Sequence, residues 1–334
     1  MDKDLPMSQY RLCTHADIAD RGALHRAIAD LNGLTFGHYD GVVVPTLSFV
    51  TWFAARPGMD PRLCQAAFVG DELVSSVLVT LARMRLAGQM VLCGIIDEVM
   101  THPDHRRRGL ARALIGRALE AMGAAGAEVS LLNTLEASPP AGPQRLYESL
   151  GYRVYERVDR FVAPPRRDNA GVAAVAIPPD DAARTAFAAG LGDRDGWLDL
   201  DDDLWRWRRI ERPCDYPVTL HRAGVGGLGA WCTGDLLVAG QPTPFAVLSD
   251  VVLPHDERAA PALAQLLAAA PSDTAVTVLC PRSDARLGRL LTQRGFGVTG
   301  TEFAMLRPLA SALAGGIGQP AMCWYVAVES VIGV

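Results

Sequence analysis

One order of predicted elements occurs twice along this chain and determines the expected fold class. In the first half Pro103 precedes an apolar stretch of helical period, a short strand, and a second helix that ends at Gly151 before an aromatic residue. In the second half Pro254 precedes the same succession, which ends at Gly295 before an aromatic residue. Strands that alternate with helices are typical of an α/β fold with a mixed sheet. The pattern therefore predicts two tandem units, each a mixed β-sheet flanked by helices.

A polar, proline-rich stretch lies between the two successions, at residues 164–169. Stretches of this kind are typical of linkers between domains. The chain has 334 residues, a length that accommodates two domains. We expect a first domain over residues 1–163, a linker over residues 164–172 and a second domain over residues 173–334.

The composition excludes several classes of function. Of all residues, 49% are hydrophobic and 21% are charged, which is typical of a globular chain. The formal net charge of -5 argues against a nucleic-acid-binding protein. No apolar stretch approaches the length of about 18 residues that a membrane-spanning helix needs, and the first residues lack the basic start of a signal peptide. We therefore expect a cytoplasmic protein with neither a nucleic acid nor a membrane as partner.

The cysteine and histidine spacings give no metal site. Seven cysteines are spread along the chain, none of them forms a Cys-x-x-Cys pair, and no histidine cluster has the spacing of zinc ligands. We expect reduced, mostly packed thiols and no metal.

In the first half the sequence also predicts a helix over residues 20–31, a glycine-bearing loop over residues 32–45 and a short helix over residues 47–55.

The segment from Asp97 to Arg112 carries the strongest chemical signal. It is predicted as the end of a strand, a tight turn and the start of a helix that contains Gly109. The first amides of a helix have no intrahelical partner and favour an anion, and the arginines of the turn add positive potential. Three arginines near a glycine are also compatible with a solvated helix start. The segment predicts a site for a pyrophosphate.

Two motifs in this half resemble those of the GNAT superfamily of acyl-CoA-dependent N-acyltransferases. The first is Arg/Gln-x-x-Gly-x-Gly/Ala after a strand, matched by residues Arg106 to Ala111. The second is Leu-Tyr-x-x-x-Gly-Phe/Tyr, matched by residues Leu146 to Tyr152. The motifs occur in the family's order, separated by a helix and a strand. The resemblance covers about residues 8–163 and implies an acyltransferase that uses acetyl-CoA as co-substrate.

The resemblance also implies where the co-substrate binds. The sheet would splay into a V where the strands end near Thr101 and Asn133, the pantetheine arm would pair with the backbone of Val99 and Thr101, and a backbone amide at Val99 or Met100 would polarise the thioester carbonyl. The amides of the helix start would hold the pyrophosphate. The residues expected to bind the co-substrate are Val99, Met100, Thr101, Arg106, Arg107, Arg108, Gly109, Leu110, Ala111, Arg112 and Asn133.

Two side chains are candidates for proton transfer. Tyr147 stands where the family commonly keeps the acid that protonates the leaving thiolate, and the alternative is a tyrosine that only packs in the core. Glu98 matches a position where the family often carries a carboxylate, and it is the preferred base for the incoming amine. Asp97 ends the same strand, and only one of the two is expected in the cleft. The carboxylate could also serve only to orient the substrate.

The second half keeps the outline of the first without its motifs. The position of the glycine motif reads Glu257 to Ala262, without glycine and with Pro261, and Leu291 replaces the tyrosine. This combination resembles the tandem GNAT architecture of mycothiol synthase and of the enhanced-intracellular-survival aminoglycoside acetyltransferases. The second half is therefore expected to be degenerate, with a structural or acceptor-binding role.

Two regions are candidates for binding the acceptor. In the first, tryptophans lie close to acidic residues and could hold a cationic amine, although helix capping and inward packing explain the pattern equally well; its members are Trp197, Asp199, Asp201, Asp202, Asp203, Trp205 and Trp207. The second is the predicted loop that holds His38, Tyr39 and Asp40.

The sequence thus predicts an N-acetyltransferase that moves acetyl from acetyl-CoA to a primary amine of a small molecule by direct attack. One alternative keeps the fold and uses a longer acyl-CoA or a carrier-protein donor. Another is a protein that binds CoA without turnover, as a sensor or partner. A monomer and a homodimer are both compatible with the sequence.

Overall fold

A single mixed sheet of twelve strands runs through the computed structural model, which describes residues 7–37, 46–136, 142–165, 172–192, 194–214, 216–238, 241–271 and 274–310. The spatial order of the strands is β1-β2-β3-β4-β5-β12-β6-β11-β10-β9-β8-β7. The strands are β1 Arg11–Thr14, β2 Gln65–Val69, β3 Glu72–Leu86, β4 Gln89–Thr101, β5 Val129–Leu135, β6 Arg153–Ala163, β7 Val175–Ile177, β8 Val218–Arg222, β9 Leu228–Val238, β10 Gln241–Val252, β11 Ala275–Pro281 and β12 Gly297–Pro308.

Eight α-helices flank this sheet within the described ranges. Several begin at an aspartate whose side chain accepts a hydrogen bond from an amide of the first turn, as Asp20 does from Ala23 and Asp180 does from Ala183. The helices are α1 Arg21–Phe36, α2 Leu47–Ala54, α3 Leu110–Ala124, α4 Gly142–Ser149, α5 Asp181–Leu191, α6 Asp202–Arg209, α7 Ala259–Ala268 and α8 Ala285–Thr292. The predicted mixed α/β fold is confirmed.

Each half of the chain gives its last strand to the other half. β12, from the second half, lies between β5 and β6 of the first, and β6 lies between β12 and β11 of the second. Strand exchange of this kind places backbone hydrogen bonds of one half inside the sheet of the other. The two halves therefore share one sheet, and β6 and β12 form its centre.

The repeated order of elements predicted from the sequence is present in the structure. β4, α3, β5 and α4 follow one another in the first half, and β10, α7, β11 and α8 do so in the second. The parallel pairs of the sheet are the equivalent ones, β4 with β5 and β10 with β11. Each half therefore contains the same strand–helix–strand unit, with parallel strands joined by a crossover helix.

The loop predicted from residue 32 onward is wrong in its first part, because α1 continues to Phe36. Gly33 lies inside the helix, and Asn32 and Thr35 on either side of it are buried. The packing of these side chains outweighs the modest helix cost of one glycine. His38, Tyr39 and Asp40 lie outside the described residues.

The two halves also meet through a pair of stacked tryptophans. The rings of Trp52 on α2 and Trp207 on α6 lie 4.2 Å apart with an interplanar angle of 3°. Each indole N–H donates to the backbone carbonyl of the other residue, at 3.1 Å from Trp52 and 2.8 Å from Trp207. The reciprocal contact joins equivalent helices of the repeat.

Among the helices in the part of the chain that is described, none combines the length and the apolar character needed to cross a bilayer.

Candidate active site

The edge of β4 opens where its pairing with β5 stops. On β4 this pairing runs from Cys93 to Ile95, opposite Val129 to Leu131, whereas β5 pairs with β12 on its other side from Val129 to Leu135. From Ile96 to Thr101, β4 keeps its antiparallel partner β3 on the other side. The strands therefore diverge at the place where the resemblance implies a V, and the diverging stretch of β4 contains Glu98.

A β-bulge places Glu98 in an uncommon backbone conformation. The register between β3 and β4 shifts between Ser76 and Leu78, opposite Met100 and Asp97. Glu98 lies inside this shift with a φ of 49°, a region that few residues other than glycine adopt. Strain of this kind persists where the surrounding structure enforces it, often at functional sites.

The carboxyl group of Glu98 is held by a buried amide on α1. Asn32 Nδ2 donates to Glu98 Oε2 at 2.6 Å, and no described residue donates a hydrogen bond to Oε1. The pKa of Glu98 is raised to about 7, mainly by burial and also by the nearby charge of Asp97, while the bond from Asn32 acts in the opposite direction. A carboxyl with a pKa near neutrality can accept and release a proton under physiological conditions.

The neighbouring carboxylate has a different partner. Asp97 Oδ2 lies 3.2 Å from Arg56 Nη1, and Arg56 is 5% exposed. No cationic side chain of the described ranges pairs with Glu98. The two carboxylates that the sequence left as alternatives therefore differ, since one is in an ion pair and the other has only a neutral amide donor. Asn32 and Arg56 were not among the predicted site residues, because the sequence pattern assigns Asn32 to a loop and no motif contains Arg56.

The start of α3 has the geometry of an anion site. Gly109 is its N-cap residue and adopts a left-handed φ of 82°, and a Cβ at this position would have no atom within 4 Å. The helical bonds begin with Ala113 N to Gly109 O, so the amides of the first turn remain for an external acceptor. Arg107 precedes it with a φ of 66°. The open space over Gly109 is where a phosphate could approach the backbone.

Most of the motif's arginines are tied to neighbouring groups. Arg106 donates to the carbonyls of Thr101 at 3.3 Å and Thr35 at 3.2 Å. Arg108 donates to the Tyr10 hydroxyl at 2.8 Å and to the carbonyl of Asp104 at 3.0 Å. These contacts hold the turn between β4 and α3 while leaving the cationic charge in place. The turn therefore joins the open edge of β4 to the anion site through fixed side chains.

Tyr147 lies on α4, which is attached to the start of α3. Arg112 Nη2 donates to Ser149 Oγ at 2.6 Å, which links the two helices. Tyr147 is 7% exposed, and burial raises the pKa of its hydroxyl to about 12, so the phenol keeps its proton at neutral pH. Its ring makes an edge contact with Tyr152 at 6.2 Å. No described residue is hydrogen-bonded to the Tyr147 hydroxyl.

The other residues predicted to bind the co-substrate lie on β4, β5 and α3. The carbonyl of Met100, whose side chain is fully buried, accepts a bond of 2.6 Å from Ser75 Oγ. Val99 and Thr101 are half-buried on the open stretch of β4. Asn133 lies on β5 opposite Ala304 of β12, past the point of divergence. Leu110 is buried against the core, and Ala111 follows it in the first turn of α3.

The described residues of the second half do not repeat this arrangement. The residue before α7 is Arg258, with a right-handed helical φ of -69° in place of a left-handed glycine. Pro261 removes an amide donor from the first turn. Arg286 on α8 donates to the carbonyl of Pro254 at 2.9 Å and also to that of Asp256, and Leu291 is buried at the position equivalent to the tyrosine. Of the two equivalent helix starts, the one in the first half thus has the geometry suited to an anion.

The cluster of tryptophans and acids follows the packing alternative. Asp201 is the N-cap of α6, where it accepts a bond from Leu204 N at 2.8 Å, and Trp205 and Trp207 are buried. Asp202 and Asp203 are exposed, and Trp197 and Asp199 lie along the end of β3 through main-chain bonds to Arg85 and Arg83. Within the described ranges, no three His, Cys, Asp or Glu side chains come together as a metal site.

Comparisons with known proteins agree with this geometry. Residues 23–155 match the family description "Acetyltransferase (GNAT) domain". No curated protein matches the sequence significantly. Among solved structures, a GCN5-related N-acetyltransferase from Anabaena variabilis is similar with a TM-score of 0.63 and 15% identity, over 90% of this chain and 73% of that chain.

Two further structures are similar over nearly the whole chain. The N-myristoyltransferase of Saccharomyces cerevisiae with bound myristoyl-CoA has a TM-score of 0.70 and 11% identity, over 92% of this chain and 80% of that chain. Eis1 from Mycobacterium abscessus has a TM-score of 0.55 and 19% identity, over 91% and 75%. At these identities the likeness concerns the fold.

Proposed function

We propose a specific reaction for this acyltransferase, whose residues 23–155 belong to the GNAT acetyltransferase family: transfer of acetyl from acetyl-CoA to the primary amine of a small molecule, by direct attack and without a covalent enzyme intermediate. The observation that carries the proposal is Glu98, a carboxyl with a pKa of about 7 on the bulge of β4, at the edge that opens toward β5. A base of this kind suits an amine acceptor, because an ammonium must lose a proton before its nitrogen can attack.

The residues present fit a CoA thioester. Its pyrophosphate would lie on the first amides of α3, where the space over Gly109 is open. Its pantetheine arm would pair with the backbone of Val99 and Thr101 along the edge that β5 leaves free. The diverging strands would leave the thioester near Glu98, and Asn133 would face it from β5. Arg107 adds positive charge at the turn.

We assign the proton transfers as follows. Glu98 takes a proton from the substrate ammonium, and the amine nitrogen then attacks the thioester carbonyl carbon. An amide of Val99 or Met100 stabilises the oxyanion. The carbon–sulfur bond breaks, and Tyr147 donates its proton to the leaving thiolate. The nitrogen of the new amide loses its second proton to water, a proton from water restores the phenol, and the proton on Glu98 passes to solvent. Each turnover therefore releases one proton overall and leaves both groups in their starting states.

The second half is proposed to serve the first without binding CoA. Its helix start lacks the glycine, and Arg286 crosses the loop before α7. We retain the division into residues 1–163, 164–172 and 173–334 as a proposal, with strands β6 and β12 exchanged between the units. Two lobes joined by a shared sheet favour an enclosed acceptor cleft, and this supports a small molecule as acceptor.

The first experiment is a calorimetric titration of the full chain with acetyl-CoA. We expect one site per chain in the parent and no measurable binding in Gly109→Asp, because the new carboxylate repels the pyrophosphate. A matched control is Gly70→Asp, since Gly70 also has a positive φ and open space around a Cβ. The control should bind acetyl-CoA as the parent does. Retained binding in Gly109→Asp would place the donor site elsewhere.

Turnover is measured by release of free CoA thiol in the presence of a panel of primary amines. Acetyl-CoA and myristoyl-CoA are compared as donors, since the yeast structure that this chain resembles holds myristoyl-CoA. Amine-dependent thiol release from acetyl-CoA supports the proposal. Faster thiol release from myristoyl-CoA would mean that the donor is a long-chain acyl-CoA and not acetyl-CoA. Binding of acetyl-CoA without thiol release in the presence of any amine would favour a non-catalytic CoA-binding protein.

A further inference from the structure

A residue of the second half contacts the network around Glu98. Arg56, which follows α2, places its guanidinium 5.5 Å from the ring of Trp207 on α6 and 5.8 Å from the ring of Phe53. Trp207 is 2% exposed and is fixed by its stacking on Trp52 and its bond to the Trp52 carbonyl. Arg56 therefore lies against a ring that the other half supplies, at distances typical of a cation–π contact.

The same guanidinium faces the strand that carries the base. Arg56 Nη1 pairs with Asp97 Oδ2 at 3.2 Å, and Asp97 is the residue immediately before the bulge at Glu98. A buried arginine that pairs with a carboxylate restrains the backbone that carries it. The contacts thus run from Trp207 to Arg56, from Arg56 to Asp97, and along the chain to Glu98.

The groups that face Glu98 come from three directions. Asp97 precedes it on β4, Asn32 contacts it from α1, and Arg56 reaches Asp97 from the end of α2. From the turn before α3, Arg106 bonds the carbonyls of Thr101 and Thr35 near the same end of α1. On β3 the residues opposite the bulge, from Ser76 to Leu78, are not ionisable. Among these, the pair of Asp97 and Arg56 is the one that depends on the second half.

We propose that the second half of the chain positions the proton acceptor of the first: Trp207 holds Arg56 against Asp97, and this ion pair fixes the bulge that presents Glu98. Trp207 and Arg56 are then positioning residues. The inference rests on the proposed function, because it assigns a purpose to the stacked tryptophans in that reaction. It also gives the degenerate half a role in catalysis in addition to completing the sheet.

The test is the pH profile of kcat/KM for the full chain, with acetyl-CoA and the best amine of the panel. In Arg56→Gln, Asp97 loses its counter-charge and its negative field acts more strongly on Glu98, which raises the pKa of the base. We expect the acidic limb to move upward by about one pH unit, with kcat/KM at pH 7 about fivefold lower and recovered above pH 8. Arg56→Lys, which keeps the charge, should retain a limb close to that of the parent.

Trp207→Phe removes the indole N–H and part of the ring under Arg56, and we expect a limb shift in the same direction as in Arg56→Gln. The matched control is Trp205→Phe on the same helix. Trp205 is equally buried and bonds the carbonyl of Pro179, but its ring packs on Phe187 and Arg209. The control should leave the limb unmoved.

The outcomes separate the inference from the function on which it rests. One outcome would overturn the inference alone. In it, the acidic limb of the kcat/KM profile disappears in Glu98→Gln but stays at the parent's pH in Trp207→Phe and Arg56→Gln. A uniform loss of rate in both variants at every pH would also overturn it, since that is the result of a merely structural role. If Glu98→Gln keeps the parent profile, Glu98 is not the base and the proposed function fails first.

Discussion

Glu98 and Asp250 occupy the same place in the two halves of the sheet. Each lies at a register shift near the end of its strand, β4 for Glu98 and β10 for Asp250, and each has a positive φ, 49° and 53°. Each is also followed by a valine and, a few residues later, by the proline that precedes the crossover helix. The repeat has therefore preserved an acidic residue at the strained position of both strands.

The surroundings of these two acids differ in charge. Glu98 has a neutral donor, Asn32, at 2.6 Å. Asp250 is 2% exposed and accepts bonds from Arg208 at 2.8 Å and from Arg209. Two buried guanidinium groups therefore neutralise the charge of Asp250, whereas Glu98 receives a hydrogen bond from a neutral amide. Of these two strained acids, the one in the first half is thus the one without a cationic partner among the described residues.

Replacing Glu98 by Gln tests this assignment directly. The amide keeps the volume and the contact region but cannot take a proton, so we expect kcat/KM at pH 8 to fall about a hundredfold or more. In the parent, kcat/KM should rise with pH through about 7 as the pKa of Glu98 is passed, because the base acts in its deprotonated form. Steady-state rates from pH 5 to pH 9 check both statements. If kcat/KM of Glu98→Gln still rises with pH through about 7 as in the parent, another group is responsible for the rise.

Tyr147→Phe tests the acid. The phenol with its raised pKa is protonated at every pH of interest and can only act as a donor. We expect kcat to fall at least about tenfold while the affinity for acetyl-CoA, measured by calorimetry, changes little. Tyr152→Phe is the matched control: its hydroxyl bonds Ser130 at 2.6 Å in the core. That variant should lose about 1 kcal/mol of stability and keep its kcat. Equal rates in the two variants would contradict the assignment.

Asp250→Asn should unfold more readily without losing the donor site. It removes the negative charge between two buried arginines, and breaking a buried pair in this way costs about 3–5 kcal/mol. Urea unfolding followed by tryptophan fluorescence measures the loss. Asp203→Asn is the control, because Asp203 is exposed and lies in an exposed ion pair with Arg206 at 3.4 Å. It should change the free energy of unfolding by less than about 1 kcal/mol. If Asp250→Asn also changes the free energy of unfolding by less than about 1 kcal/mol, burial of Arg208 and Arg209 does not depend on Asp250.

The sequence predicted those parts of the fold that depend on local pattern. The apolar period from Leu110 to Met122, the glycine at 109 and the second motif at Tyr147 locate α3, the turn before it and α4 within a residue or two. These features act over one or two turns of backbone, so the residues themselves specify them. The equivalence of Glu98 and Asp250 was also open to prediction, since the repeat aligns Pro103 with Pro254.

The remaining features depend on contacts between distant segments. A strand's pattern indicates which face is buried but not which strand lies beside it, so the exchange of β6 and β12 did not follow from the sequence. Asn32 was assigned to a loop because Gly33 follows it, although its bond to Glu98 joins residues far apart in the chain. The contact of Arg56 with Trp207 is likewise tertiary. The sequence patterns therefore located the elements that carry the candidate site, but not the side chains that contact Glu98 and Asp97.

The raised pKa of Glu98 also has a consequence for stability. Folding raises this pKa from its ordinary value of 4.5 to about 7, so between these pH values the folded chain holds a proton that the unfolded chain has released. The contribution to stability is fully present below about pH 4.5 and is lost as pH rises through about 7. At higher pH the folded protein contains an ionised carboxyl that is more costly than in water. The proposed base is thus obtained at the expense of stability.

Glu98→Gln should therefore be more stable than the parent at pH 8. Because Glu98 keeps part of its surface in water, we expect a gain of about 1–2 kcal/mol. The gain should shrink toward zero at pH 5, where the parent's carboxyl is protonated in the folded state. Urea unfolding at the two pH values measures it, with Glu120→Gln, exposed on α3, as the control that should show no such difference. If the difference in free energy of unfolding between Glu98→Gln and the parent is the same at both pH values, Glu98 is ionised in the folded protein throughout this range. Its role as a base with a pKa near 7 would then have to be abandoned.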